Sequence, residues 1–287
     1  MQHLIRHAAK RLVRDGVRLA ADGVAVGRTQ LLIRCAGIPV RVGTGYRWYS
    51  LLFNRRVFEH RKTAEKHESE YNVSLLGGLG LQSQSTPLAH LTIPDGARRE
   101  AVRIRTSKGF AEADQIAVLH PGSGGSARDW SPENFGQLGA RLADMGMRVL
   151  VTGGWGEREL VARACRASGL PLATSVAEMD LLTLAALLST VSLFVSNSTG
   201  PLHIAAAVGV PVIAFYPPII QCSPRRWGPL AERKVIFEAD AAKCPRCHGG
   251  ACQGSDCMDL ITVEEVAEAA RGLLRLDHHS RTGALTQ

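Results

Sequence analysis

Apolar runs and helical patterns alternate along most of this chain. Short runs rich in β-branched residues, at 115–119, 148–152, 191–195, 211–216 and 234–237, read as strands buried on both faces. Between them, apolar residues recur at helical spacing over 132–145, 157–167, 181–188, 202–208 and 262–274. Ser131 and Pro132 open the first of these helices as N-cap and first helical residue, and Gly146 stops it. The first third is less regular. Its pattern predicts a helix over 3–13, a strand over 17–21, a turn at Asp22-Gly23, a helix around 29–35, a short strand over 39–42 and a helix over 65–76. Residues 79–105 are rich in Gly, Ser, Gln and Pro and read as loop, short strand and linker.

Strands alternating with helices predict an α/β fold with a parallel sheet covered on both faces. Ligands of such sheets bind at the carboxyl ends of the strands. Three polar or Gly-rich segments fall there: 120–130, 152–157 and 196–203. The third is the most informative. An apolar run ends in Ser196-Asn197-Ser198-Thr199-Gly200, and a helical pattern starts at once. A helix N-terminus carries roughly half a unit of positive charge and free N–H groups, which suits phosphate. The expected ligand is therefore phosphorylated, a nucleotide diphosphate.

Composition narrows the class. The 287 residues suffice for two domains, and 45% are hydrophobic, enough for a sizeable core. No apolar run reaches the ~18–20 residues of a membrane-spanning helix. Residues 1–16 are basic and amphipathic, without the continuous apolar core of a signal peptide, and read as an ordinary helix. The net charge of +8 is uneven. Residues 1–110 hold 19 Lys/Arg against 8 Asp/Glu, whereas residues 111–287 hold 15 against 18. A basic first half fits an anionic membrane surface or a phosphorylated glycolipid, and equally an Arg-rich solvated face. Nucleic acid is not expected, because no recognition-helix motif or aromatic interleaving accompanies the charge. Seven cysteines without a secretion signal suggest a reducing cytoplasm. Four of them, Cys244, Cys247, Cys252 and Cys257, are clustered. Structural zinc, reduced thiols and a local disulfide all remain open for them.

The second half resembles the lipopolysaccharide heptosyltransferases, the family-nine glycosyltransferases. The matching residues begin with His120-Pro121-Gly122-Ser123 and Arg128-Asp129-Trp130-Ser131-Pro132-Glu133-Asn134-Phe135. Gly153-Gly154 with Glu157 follows, then Ser196 through Ala207, Gly209-Val210-Pro211-Val212 and Trp227-Gly228-Pro229-Leu230. The cysteine group ending in Cys257-Met258 completes the match. The first half matches more weakly, through residues 36–43 and His67-Glu68. This resemblance implies a GT-B fold of two Rossmann-like domains with parallel sheets. It implies an ADP-heptose donor, a phosphorylated lipopolysaccharide-core acceptor, and inverting transfer with no cofactor and no catalytic metal. It places the work in the cytoplasm, at the inner face of the cytoplasmic membrane. The implied domains are a partial N-terminal acceptor-side domain with linker over 1–108, a C-terminal nucleotide-sugar-binding domain over 109–276 and a disordered tail over 277–287.

The expected donor site follows. Metal-free transfer needs N–H dipoles and cationic side chains around the leaving diphosphate. Ser123, Thr199 and Gly200 supply N–H and hydroxyl donors, with Gly200 allowing close approach of a phosphate. Arg128 stands where the family usually has Lys, and reads as a diphosphate cation or a solvated Arg. His203 reads as a phosphate donor or a half-buried histidine, and Glu157 as a nucleoside contact or a helix-dipole partner. Trp130 and Trp227 are expected to pack rather than bind. Two departures stand out. Ser198 replaces the family's Asp, and the N-terminal strand and Gly-Asp loop that carry the family's catalytic Asp have no counterpart. The catalytic base is therefore unknown; Asp22 and Glu68 are the carboxylates left to consider. A non-catalytic nucleotide-sugar-binding remnant or partner protein is the alternative.

Overall fold

The computed structural model describes residues 26–81, 90–125, 128–240 and 257–283. The chain divides into two compact units, one ending at Pro87 and one starting at Leu88.

In the first unit, helix α1 (Val26–Cys35) precedes strands β1 (Val42–Thr44) and β2 (Arg55–Val57), which pair in parallel with Val42 opposite Arg55. A 3-10 turn, Trp48–Leu52, joins them. Helix α2 (Glu68–Ser74) starts later than the apolar pattern predicts because His67 caps it. The Ser69 N–H donates to His67 Nδ1 at 3.2 Å, and the His67 N–H donates to Glu70 Oε2 at 2.6 Å. Beyond Ser74 the chain tightens into a 3-10 turn, Leu75–Leu79, containing Gly77 and Gly78. Glu68 is buried and ion-paired with Arg61, whose guanidinium also lies over the Tyr71 ring at 5.5 Å. It is a structural anchor. The helix and strand expected over 3–13 and 17–21, and Asp22, lie outside the described residues.

The second unit is built on six parallel strands: β3 (Ile116–His120), β4 (Arg148–Gly153), β5 (Ala173–Val176), β6 (Leu193–Asn197), β7 (Val212–Tyr216) and β8 (Lys234–Glu238). Their order is β5-β4-β3-β6-β7-β8. Strand pleating divides the core cleanly. Leu119, Val151, Val195 and Phe215 face one layer, which contains α4 (Pro132–Asp144), α5 (Arg158–Ser168) and α9 (Val263–Gly283). Val118, Leu150, Phe194 and Ala214 face the other, which contains α3 (Asp95–Ser107), α6 (Leu181–Leu188) and α7 (Gly200–Ala207). The short helix α8 (Pro224–Trp227) lies between β7 and β8 in the chain. Both faces of β3, β6 and β7 are fully covered, which explains their unbroken apolar runs. Each large aliphatic or aromatic side chain so buried contributes about 1.5–3 kcal/mol. Among the described residues, no helix is long and apolar enough to cross a membrane.

Three differences from the sequence pattern have physical causes. Residues 95–107, expected within loop and linker, form α3, which packs on α6 of the second unit. Its buried stripe is only Ala101 and Ile104, and four arginines and two acids around it mask the periodicity. Strand β5 has no apolar run, because Thr174 and Ser175 occupy its middle and it lies at the sheet edge. The backbone of 277–283, expected in the disordered tail, continues α9.

The chain runs from β3 outward to β5, then returns to β6 on the other side of β3. This reversal leaves a crevice at the carboxyl ends of β3 and β6, where His120 lies opposite Ser196.

Helices α4 and α5 approach at Gly136. A Cβ there would meet the Ala164 carbonyl oxygen and lie 2.9 Å from Ala167 Cβ. A bidentate pair holds the outer side, with Arg163 donating to Glu133 at 2.8 and 2.9 Å. Gly136→Val is expected to destabilise the second unit by about 1–3 kcal/mol through overpacking, measured by urea denaturation. Unchanged stability would show that the helices can separate freely.

Candidate functional site

At the reversal of strand order lies a cavity of about 620 Å³. The end of β3 contributes His120, and the loop after it Ser123, Gly124, Gly125 and Asp129. The loop after β4 contributes Gly154, Gly156 and Glu157, and α5 adds Leu160. The start of α7 contributes Thr199 and Pro201. All three loops singled out by sequence therefore meet. Gly124 and Gly125 have φ of 63° and 75°, a left-handed path that glycine adopts without strain.

Glu157 joins two of these loops. Its Oε1 accepts from the Gly124 N–H at 3.2 Å and its Oε2 from the Gly154 N–H at 2.6 Å. His120 Nε2 lies 3.6 Å from Oε2, and His120 Nδ1 is 3.0 Å from Thr152 Oγ1. Burial pushes the His120 ring below its usual pKa, against the opposing pull of Glu157. A Cβ on Gly122 would fall on the Glu157 carboxylate. Glu157 precedes α5 but does not cap it through its side chain. Its negative charge is spent on loop amides.

Asp129 was not singled out by the sequence, although it stands between Arg128 and Trp130. The Ser123 hydroxyl donates to Asp129 Oδ2 at 2.9 Å, whereas Asp129 Oδ1 is buried without a partner among the described residues. Burial chiefly raises its carboxyl to about 6; Glu157 adds to the rise and the Ser123 hydrogen bond opposes it. Asn197 is the other residue whose role the sequence left unstated. It is fully buried and bonds both ends of the first loop: Oδ1 accepts from the Trp130 N–H at 2.8 Å, and Nδ2 donates to the Pro121 carbonyl at 2.7 Å. Both contacts span more than sixty residues of sequence, so no local signal exposes them.

At the third loop, Thr199 is the N-cap of α7, with φ −150° and ψ 163°, and makes no side-chain cap bond. Gly200 follows it and is exposed, and a Cβ there would meet only open space. No protein atom demands glycine at that position. Ser198, Arg128 and His203 are half-buried and do not line the cavity. The Ser198 side chain hydrogen-bonds the Tyr216 hydroxyl, which itself donates to the Trp227 carbonyl at 2.7 Å. Trp130 packs, as expected. It is fully buried, stacks on Phe215 at 4.3 Å and donates from Nε1 to the Ile261 carbonyl at 2.9 Å. Trp227 donates from Nε1 to the Gln221 carbonyl at 3.0 Å. Cys257 is buried, while Cys244, Cys247 and Cys252 lie outside the described residues.

A doubly wound parallel sheet with a glycine-lined cavity at its switch point defines a Rossmann-like class of fold. Comparison with known proteins makes the class specific. The family model for glycosyltransferase family 9 (heptosyltransferase) matches residues 28–254, and the chain belongs to that family. A Haemophilus influenzae protein provisionally named a glycosyltransferase is 30% identical over 218 residues, covering 72% of this chain and 63% of that protein. Lipopolysaccharide heptosyltransferase 3 of Escherichia coli K12 is 25% identical over 256 residues, covering 86% of this chain and 71% of its own length. The solved structure of the Escherichia coli ADP-heptose lipopolysaccharide heptosyltransferase II has a TM-score of 0.69 at 20% identity. That superposition covers 88% of this chain and 75% of the other. The fold is thus that of the GT-B-like heptosyltransferases. The chain spans somewhat less than two thirds of the Haemophilus protein.

Asp129 gives the site a pH signature. Its carboxyl is raised from 3.8 to about 6, so the fold favours the protonated form. Its contribution is fully present below about pH 4 and is lost as pH rises through about 6. Asp129→Asn removes this loss. It is expected to raise stability at pH 7 by on the order of 1–2 kcal/mol, after discounting for partial exposure, and to give no gain at pH 4. Urea denaturation at both pH values checks this; equal effects at the two would refute it.

Proposed function

We propose that the second unit binds a nucleotide diphosphate-sugar, ADP-heptose, and that the chain serves metal-independent, inverting transfer of the heptose to a phosphorylated lipopolysaccharide core. The observation that carries the reading is the convergence of the α7 N-terminus with the Gly124-Gly125 loop on one cavity at the switch point. Family membership and the names of the Escherichia coli relatives support the donor and the acceptor class.

In this reading the leaving diphosphate lies against the start of α7. The Gly200 N–H and the Thr199 hydroxyl meet its oxygens, with the partial positive charge of the helix end behind them. Gly200 stays bare so that a phosphate can occupy the space a Cβ would take. Ser123 offers its backbone N–H, since its hydroxyl is given to Asp129. Arg128 and His203 reach the diphosphate only by turning toward it, and Arg128 supplies the full positive charge. Glu157 holds the two glycine loops together and presents its carboxylate to the nucleoside hydroxyls. Ser198, in place of an acid, keeps one negative charge away from the phosphates. Electrostatic stabilisation of this kind replaces a metal at a leaving diphosphate.

The acceptor and its base belong to the first unit in this reading. The excess of Lys and Arg in residues 1–110 supports an anionic glycolipid at the inner membrane surface. The exposed Trp48, Leu51 and Phe58 support it too. One observation favours a second reading, a nucleotide-sugar-binding protein without transfer activity. Glu68, the described carboxylate considered as base, is buried in an ion pair with Arg61, and a lost base typically removes 10²–10⁴-fold in rate.

Calorimetry with ADP tests the pocket. Thr199→Ala and Arg128→Ala are each expected to weaken ADP about tenfold, the loss of one charge-assisted hydrogen bond. Wild-type affinity in both folded variants would remove the assigned pocket. Transfer of heptose from ADP-heptose to a lipopolysaccharide core, followed by mass spectrometry, separates the two readings.

A further inference from the structure

We infer that Asn197 is a positioning residue that makes the first and third loops of the site one mechanical unit, and that its carboxamide thereby sets affinity for the nucleotide diphosphate. The inference rests on the proposed nucleotide site for its ligand, but its structural part stands without it.

Asn197 is the last residue of β6 and is fully buried. Its side chain is used at both ends. Oδ1 accepts from the Trp130 N–H at 2.8 Å, while Nδ2 donates to the carbonyls of Pro121 at 2.7 Å and Trp130 at 3.3 Å. Pro121 and Trp130 are the two ends of the loop whose interior places Ser123, Gly124 and Asp129 in the cavity. One carboxamide therefore closes that loop across its mouth. A donor and an acceptor on two separate atoms are both required, and the Asn carboxamide offers that pair without a change of protonation.

Neither end of the closure can drift. Trp130 is fixed by its stack on Phe215 and its indole bond to the Ile261 carbonyl. On the other side, Asn197 is followed directly by Ser198, tied to Tyr216, and by Thr199, the N-cap of α7. A displacement of the first loop must move β6 at its carboxyl end, and with it the helix terminus. A ligand that orders one loop thus orders the other. Asn197 itself does not line the cavity, so it acts through Pro121, Trp130 and Thr199.

Hydrogen exchange and calorimetry on the full chain test this, using Asn197→Ala and the milder Asn197→Ser in case the first does not fold. Amides of 121–130 and of 198–203 are expected to exchange at least tenfold faster together. Those of β4 and α9 are expected to keep wild-type rates. The dissociation constants for ADP and for inorganic pyrophosphate should rise by tenfold or more, because both ligands use the phosphate loops. Faster exchange in one loop only, uniform acceleration across the fold, or wild-type affinity in a folded variant overturns the inference. If the wild-type chain itself does not bind ADP, the nucleotide reading fails, and the exchange pattern alone decides the coupling.

Discussion

The parallel pairing of β3 with β6 carries the rest of the structure. These strands are distant in sequence, and every residue of both is buried. Their apolar side chains leave no freedom in register, since a slip of one residue would exchange the two faces of the core. Once the register is set, His120 and Ser196 are neighbours, and the polar segments that follow them must share one crevice. The site is thus a consequence of core packing, and its polar residues need only occupy the space that packing provides.

That space has an unusual charge arrangement for the anion site proposed there. Two carboxylates, Asp129 and Glu157, line it alongside a histidine. Each is quieted differently. Glu157 is covered by two loop N–H groups, Asp129 is pushed toward its neutral form by burial, and His120 is held below its usual range. Fixed positive character comes instead from backbone dipoles at α7 and the glycine loop, groups that do not titrate. The phosphate binding proposed for it near neutral pH would then depend on backbone geometry more than on side-chain charge.

The sheet was legible in the sequence because both-face burial writes itself as continuous apolar runs. The place of the cavity was legible too, since the loops holding Ser123, Glu157 and Thr199 all line it. What failed to show follows from the same physics. Helix α3 buries only Ala101 and Ile104 and hides its period under charge, and β5 is a polar edge strand. Ser198, Arg128 and His203 sit in the right loops, but the motif cannot say which way a side chain turns. Asp129 and Asn197 matter through contacts that fold, not spacing, creates. Resemblance supplied the expected chemistry of the donor, which periodicity alone could not.

Trp130 has an implication for how such a site can be inherited. It ends the first loop, yet its ring rests on β7 and its indole N–H reaches the chain just before α9. The loop is therefore not a detachable cassette. Grafted onto another sheet it would lack its seat, and a change near Ile261 would be felt at the cavity. The smallest portable module is the whole second unit, so variation in such a protein has its widest latitude in what is joined to that unit.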